Sequence, residues 1–187
     1  MTLADADHIA GQIVEALSPH TERIAIAGSI RRRRPEPHDI EIVAIPKPYD
    51  VGLFKSGIAT VVEDWPKVKG ELGPACKYTQ RLVPVGGLLA VVRPYHERGN
   101  ALEPEKVKLD LFFATPANWG LILAIRTGSA AYSHKVLACG WRRRGYVSSG
   151  GVLCSDLFGE REIREEEDLF RLLGIPWALP EQREVEE

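Results

Sequence analysis

Cysteine is scarce and poorly placed for cross-linking: Cys76, Cys139 and Cys154 are far apart, odd in number, and form no Cys-x-x-Cys pair. That excludes a disulfide framework and leaves buried, reduced thiols as the reading. Long apolar runs are also missing. No stretch approaches the roughly 20 residues of a membrane span, so no membrane partner is expected. The N-terminus, MTLADAD, is acidic where a signal peptide carries positive charge ahead of an apolar run, so a cytoplasmic location is expected. Charge of one sign is lacking as well. The net charge is −2, and the chain has no global field of the kind that a pI above about 9 brings to a nucleic-acid binder. The four tryptophans, Trp65, Trp119, Trp141 and Trp177, are too scattered to make a stacking platform and read as packing. There is no internal repeat and no low-complexity segment.

What is present suits one domain, or one with a small appended lobe, since 187 residues can bury a real core and cannot make two large domains. Basic charge is local, in the four arginines at 31–34 and the three at 142–144. Acid is concentrated over 160–168 and again from Glu181. The asymmetry leaves room for an anionic ligand.

Ile9, Ile13, Val14 and Leu17 are at helical spacing over 4–17, and Ser18-Pro19-His20 stops that helix. Ile24 to Ala27 is a short strand ending at Gly28-Ser29. Ile40, Ile42 and Ala44 alternate with Asp39, Glu41 and Val43 in a second strand. A helix is predicted over 51–62. A hairpin is predicted from strands over 77–84 and 88–92 around Gly86-Gly87, with an exposed loop over 96–105. A strand over 107–113 carries Asp110, and a helix beginning at Pro116 runs through Trp119, Ile122, Leu123 and Ile125. The spacing then predicts a helix over 130–144 ended by Gly145, a hairpin over 146–153, and a short helix over 165–173. The fold class expected is α/β (α+β): a mixed sheet with flanking helices plus a small C-terminal lobe.

Asp39 and Glu41 are two apart on a predicted strand, so both carboxylates leave one face a few ångströms apart. Such like charges repel unless a cation lies between them. Asp110 lies mid-strand, where a partly buried lone acid is costly. If the two strands are neighbours, the three acids converge into an oxygen-rich set suited to Mg²⁺ or, in its place, Mn²⁺. Ten residues before Asp39, Ser29 follows Gly28 at a strand end, where backbone N–H groups and a hydroxyl can meet a triphosphate, with Arg31 and Arg32 next. An isolated Asp-x-Glu is more often a solvent-facing pair. Joined in this order, the pieces point to phosphoryl transfer, in which two ions stabilise the attacking oxygen and the leaving pyrophosphate.

The segments Gly28-Ser29-Ile30-Arg31-Arg32, Asp39-Ile40-Glu41, Leu109-Asp110-Leu111 and Arg126-Thr127-Gly128-Ser129 resemble the nucleotidyltransferase superfamily, and more closely the family X, DNA polymerase beta-like enzymes. The likeness runs from about residue 5 to about residue 180. It implies a palm over 1–126 and, over 127–187, a thumb-like lobe that closes on the nucleotide, without the family's lyase domain and helix-hairpin-helix segments. It implies that Asp39, Glu41 and Asp110 are catalytic and bind two Mg²⁺ ions, with Asp110 nearest the primer 3′-hydroxyl. It implies that Ser29 and Arg32, beside Gly28, hold the β and γ phosphates of a dNTP, and that Gly128 lies under the sugar. Ile125, Arg126, Thr127, Ser129 and Ser133 complete the nucleotide site, and Arg33, Arg34, His134, Arg142 and Arg143 meet DNA.

The implied activity is that of a monomeric DNA-directed DNA polymerase adding dNMP to a primer 3′-hydroxyl, on primer-template or gapped DNA, as in short-gap repair. Three departures accompany the matches. Glu41 stands where polymerases of the family usually have Asp, as it does in other branches of the superfamily. Ile125 and Arg126 replace a common aromatic pair beside the sugar. Ala130, Ser133 and Leu137 replace polar groups that read base and template.

Other readings stay open at this level. The 31–34 run can be an exposed solubilising loop, Arg142 and Arg143 can serve the helix C-terminal dipole, His134 can be a surface histidine, and Lys77, Lys106 and Lys108 can be solvated. The acceptor can also be an RNA end, a protein or a small molecule, or the chain can be a non-catalytic nucleotide- or nucleic-acid-binding relative.

Overall fold

The computed structural model describes residues 1–48, 57–72, 76–85 and 106–185. The predicted strand over 88–92, the loop over 96–105 and the first half of the helix over 51–62 lie outside the described residues.

Helix α1 (Leu3–Leu17) begins at Thr2, whose hydroxyl accepts from the Asp5 N–H, and buries Ala6, Ile9, Ala10, Ile13 and Leu17 along one stripe. A 3₁₀ turn (Ser18–His20) leads into β1 (Thr21–Ile26). The strand starts three residues before the predicted one and stops at Ile26, because Gly28 takes φ 61° and turns the chain into α2 (Gly28–Arg31). β2 (Ile40–Pro46), α3 (Ile58–Val62), β3 (Lys67–Gly70), β4 (Tyr78–Pro84) and β5 (Lys106–Phe113) follow. All four residues of β3 are exposed, so it carries no alternating apolar signal and is not foreseen from the sequence.

The five strands make one mixed sheet in the order β1-β2-β5-β4-β3, with β2 and β5 parallel and the other pairs antiparallel. The central strands β2 and β5 alternate at their starts and are covered on both faces toward their ends, where Ile42 to Ile45 and Leu111 to Phe113 are continuous apolar runs. On one face Ile40, Ile42 and Ala44 join Val107, Leu109 and Leu111 beneath α1 and α3. On the other, Val43, Ile45 and Phe112 pack with Trp119 and Leu123 of α4 (Trp119–Thr127). Each fully buried Ile, Leu or Val contributes about 1.5–3 kcal/mol, and a one-residue slip of either strand would exchange the two sets and turn its acids into the α1-side core.

The helical stretch predicted over 130–144 is present but interrupted: α5 (Ala130–Tyr132), a π-helical segment (Ser133–Ala138) and α6 (Cys139–Arg143). The predicted hairpin is β6 (Val147–Ser149) and β7 (Val152–Ser155), extended by β8 (Gly159–Arg161) into a second antiparallel sheet. α7 (Glu166–Leu173) is closed by a reciprocal Glu165–Asp168 cap and by Gly174 in the left-handed conformation. A second core joins Leu137, Trp141, Tyr146, Leu153, Ile163, Leu169 and Leu173 to Leu121 and Ala124, so α4 feeds both cores. Gly120 permits this: a Cβ there would lie 2.1 Å from the Glu165 carbonyl carbon, so only glycine lets α4 approach the start of α7 so closely. The fold class is α+β. Among the described residues no helix is long and apolar enough to cross a membrane.

Candidate active site

Strand alternation decides which polar side chains meet. Since Ile40, Ile42, Leu109 and Leu111 face the α1 side, Asp39 and Glu41 share the opposite face with Val43, and Lys108 and Asp110 share it with Phe112. The parallel register pairs Glu41 directly with Asp110. The antiparallel register of β4 pairs Gln80 with Asp110 and Tyr78 with Phe112. One end of this sheet face is therefore polar and the rest apolar.

The Gly28–Arg31 turn lies against the same carboxylates. The Ala27 N–H donates to the Glu41 carbonyl at 2.8 Å, and a Cβ on Gly28 would come within 2.0 Å of Glu41 Oε2. The Ser29 hydroxyl oxygen is buried and has no hydrogen-bond partner among the described residues. An unpaired buried hydroxyl costs about 1–3 kcal/mol, which is unusual for a residue serving the fold alone.

Asp110, 8% exposed, accepts at Oδ1 from the Tyr78 hydroxyl and from Gln80 Nε2, each at 2.6 Å. Lys108 Nζ lies 2.8 Å from Asp39 Oδ2 and 3.8 Å from Asp110 Oδ2, an ammonium held between two of the three acids. Its hydrogen bond to Asp39 holds its pKa above the ordinary lysine value. Burial, then the neighbouring charges of Asp39 and Asp110, push the Glu41 carboxyl up to about 7, with Arg126 and Arg32 pulling the other way. Among the described residues no three His, Cys, Asp or Glu side chains are grouped closely enough to hold a metal ion as they stand.

The predicted phosphate and nucleotide residues are largely tied to one another. Arg32 donates to Glu184 at 2.6 Å and to the Thr127 carbonyl at 2.7 Å. Arg31 donates to the Thr127 hydroxyl at 2.6 Å and forks onto the buried Glu166, which also receives Arg183. The Ser129 hydroxyl caps α5 at the Tyr132 N–H, and Ser133 donates to the Ile125 carbonyl at 2.8 Å, crowding against Gly128. Arg126 lays its guanidinium over the Phe112 ring, 3.9 Å from the centroid. A cleft of about 1050 Å³ runs past Tyr78, Phe112, Ile125 and Arg126 to the turn at Gly150 and Gly151. The three carboxylates lie beside it and not in its lining.

Of the predicted nucleic-acid contacts, His134, Arg142 and Arg143 are exposed, His134 on the π-helical segment and the two arginines at the end of α6. Arg33 and Arg34 are exposed too, in long ion pairs to Asp7 (3.6 Å) and Glu184 (3.9 Å), which count for little in water.

Tyr78, Gln80, Glu166, Arg183 and Glu184 escape the sequence reading. The period-2 spacing of Tyr78 and Gln80 is visible in the sequence, but its meaning depends on which strand β4 pairs with. Glu166 reads as one acid in an acidic run, yet it is 4% exposed and Arg183 is fully buried. No protein-family model matches the chain, and no curated protein matches it.

Proposed function

We propose that the chain is a metal-dependent nucleotidyltransferase that adds a deoxynucleoside monophosphate to a DNA 3′-hydroxyl and releases pyrophosphate, as family X DNA polymerases do, and that short-gap filling is its task. The observation that carries this reading is the in-register pairing of Glu41 with Asp110 on adjacent parallel strands, with Asp39 on the same face and the Gly28-Ser29 turn packed against Glu41.

The donor set fits Mg²⁺ or Mn²⁺. It is all oxygen, without His or Cys, and burial together with the charges of Asp39 and Asp110 raises the Glu41 carboxyl to about 7, a cost that a cation among the three acids would relieve. Asp39, Glu41 and Asp110 would hold the ions, whose chemistry is to neutralise the triphosphate and favour the ionised hydroxyl. The 3′-oxygen bonds to the α-phosphorus while the bond from that phosphorus to the oxygen bridging to the β-phosphate breaks, and pyrophosphate leaves. Asp110 takes the hydroxyl proton at Oδ2, the oxygen not occupied by Tyr78 and Gln80. Ser29 donates its unpartnered hydroxyl to a phosphate oxygen. Arg126, exposed at the cleft, and Arg142 and Arg143 supply positive charge toward the nucleic acid.

Extension of a labelled primer on gapped duplex with dNTPs and Mg²⁺ or Mn²⁺ tests this reading. Asp110→Asn is expected to lower the rate at least about 10³-fold, the scale for removing a group that acts in the transition state. Absence of extension on gapped and recessed DNA, together with transfer of nucleotide to an RNA end, a protein or a small molecule, would replace DNA by that acceptor. Nucleotide binding without any turnover would replace the enzyme by a binding protein.

A further inference from the structure

Asp110 is gripped from β4 in a way that packing alone does not demand. Residue 80 stands directly across from it in the antiparallel ladder, and Tyr78 stands one pleat further along, opposite Phe112. Both side chains end on the same oxygen, Asp110 Oδ1, at 2.6 Å each. Donors to an ionised carboxylate are about twice as strong as neutral pairs, and two of them on one oxygen fix the rotation of the carboxylate about its Cβ–Cγ bond. Oδ2 is then the only oxygen left for other partners, and it is the one that faces Lys108.

The grip is itself braced. The Tyr78 ring stacks on Phe112 at 5.0 Å and 24°, and Phe112 carries the Arg126 guanidinium at 3.9 Å. Neither polar group is needed to fill the strand, since a phenylalanine at 78 would keep the stack and a methionine at 80 would keep the volume.

We propose that Tyr78 and Gln80 are positioning residues, which hold Asp110 so that its Oδ2 alone is presented to the metal and to the attacking hydroxyl. This assignment rests on the nucleotidyltransferase reading above. A carboxylate released from these donors can rotate and shift on the scale of about 1 Å, at which rates fall roughly 10²-fold.

The test uses the full chain with Tyr78→Phe, Gln80→Met and the double variant, and takes two readouts. The first is direct Mn²⁺ titration followed by electron paramagnetic resonance. The second is steady-state nucleotide incorporation. Each single variant is expected to lose about 10-fold in kcat with the nucleotide KM within about twofold, and the double variant about 10²-fold. Mn²⁺ affinity is expected to fall severalfold in each variant, with near-wild-type circular dichroism. Wild-type kcat and Mn²⁺ affinity in both folded single variants would overturn the positioning role and leave the nucleotidyltransferase reading intact. A loss confined to KM, or a loss of kcat matched by the fraction unfolded, would overturn it equally. A wild-type protein that binds no Mn²⁺ and transfers no nucleotide to any acceptor would overturn the reading, and the positioning role with it. If the double variant does not fold, the single variants decide.

Discussion

Gly28 and Glu41 are packed so closely that a β-carbon on Gly28 would lie 2.0 Å from Glu41 Oε2 and 2.8 Å from its carboxyl carbon. Gly28 also has φ 61°, a left-handed conformation that costs other residues about 1–2 kcal/mol. Gly28→Ala therefore incurs backbone strain and displaces the Glu41 carboxylate. Urea unfolding should show at least about 1 kcal/mol of destabilisation. Because Asp is one methylene shorter, adding Glu41→Asp should relieve part of the crowding. A double-mutant cycle in which the two changes add without coupling would mean that the contact has no energetic weight.

The Glu41 carboxyl gives the metal-free protein a pH dependence of definite sign. Its pKa in the fold is about 7 against an ordinary 4.5, so between these values the folded state keeps a proton that the unfolded chain has lost. Stability from this group is thus fully present below pH 4.5 and declines as pH rises to about 7, by about 3 kcal/mol at about 1.4 kcal/mol per pKa unit. In EDTA, the difference in unfolding free energy between wild type and Glu41→Gln should move in favour of the variant across this window and level off above it. Mg²⁺, which favours the ionised acid, should flatten the slope. A difference independent of pH would remove the raised pKa from the account.

Glu166 closes a second charge cluster, holding Arg31 from the phosphate-side turn and the fully buried Arg183 from the C-terminal segment. Removing one partner of such a buried set leaves guanidinium charge uncompensated, at about 3–5 kcal/mol. Glu166→Ala should lower the urea midpoint accordingly. A change below about 1 kcal/mol would mean that water reaches the arginines and compensates them.

Why some of this was legible in the sequence, and some not, follows from the range of each interaction. The alternation of Asp39, Glu41 and Val43, and of Lys108, Asp110 and Phe112, is local and carries each carboxylate to a definite strand face. That β2 and β5 are parallel neighbours, and that β4 brings Tyr78 and Gln80 to Asp110, depends on pairing over 30 residues or more, which periodicity does not encode. β3 was invisible because all its residues are exposed. The arginine run looked free because its partners Glu166 and Glu184 are 135 and 152 residues away. The 130–144 helix changes to a π-helical segment at Ser133, whose hydroxyl donates across to the Ile125 carbonyl of α4, a contact between two helices that helical spacing does not reveal.

Ser29 separates the demands of the fold from those of a ligand. Its buried hydroxyl has no partner among the described residues, so Ser29→Ala removes an unsatisfied group and should leave stability unchanged or raise it slightly. If the hydroxyl meets phosphate, the same variant should bind nucleotide about 10-fold more weakly, the worth of about 1.4 kcal/mol. Thermal unfolding and dNTP titration in the presence of Mn²⁺ measure the two effects on one sample. Unchanged affinity would detach Ser29 from the nucleotide.

Lys108 is the cation that the carboxylates already hold. Its ammonium lies 2.8 Å from Asp39 and 3.8 Å from Asp110, so a divalent ion entering there must share the acids with it or displace it. At about 4 Å, two unit charges interact by about 1 kcal/mol even at the dielectric constant of water, and by about 4 kcal/mol at an effective value near 20. Lys108→Met keeps most of the aliphatic stem and removes that competitor, so Mn²⁺ should bind at least about fivefold more tightly. The gain should be larger at low ionic strength, because screening weakens the lysine's hold on partly exposed acids. In the absence of metal, the same variant should raise the repulsion among the three carboxylates and lower stability, since no other residue forms an ion pair with Asp39 or Asp110 among the described residues. The two effects have opposite signs in one protein, tighter metal binding and a weaker apo fold. If Lys108→Met were neutral in both, the ammonium would be a solvated bystander.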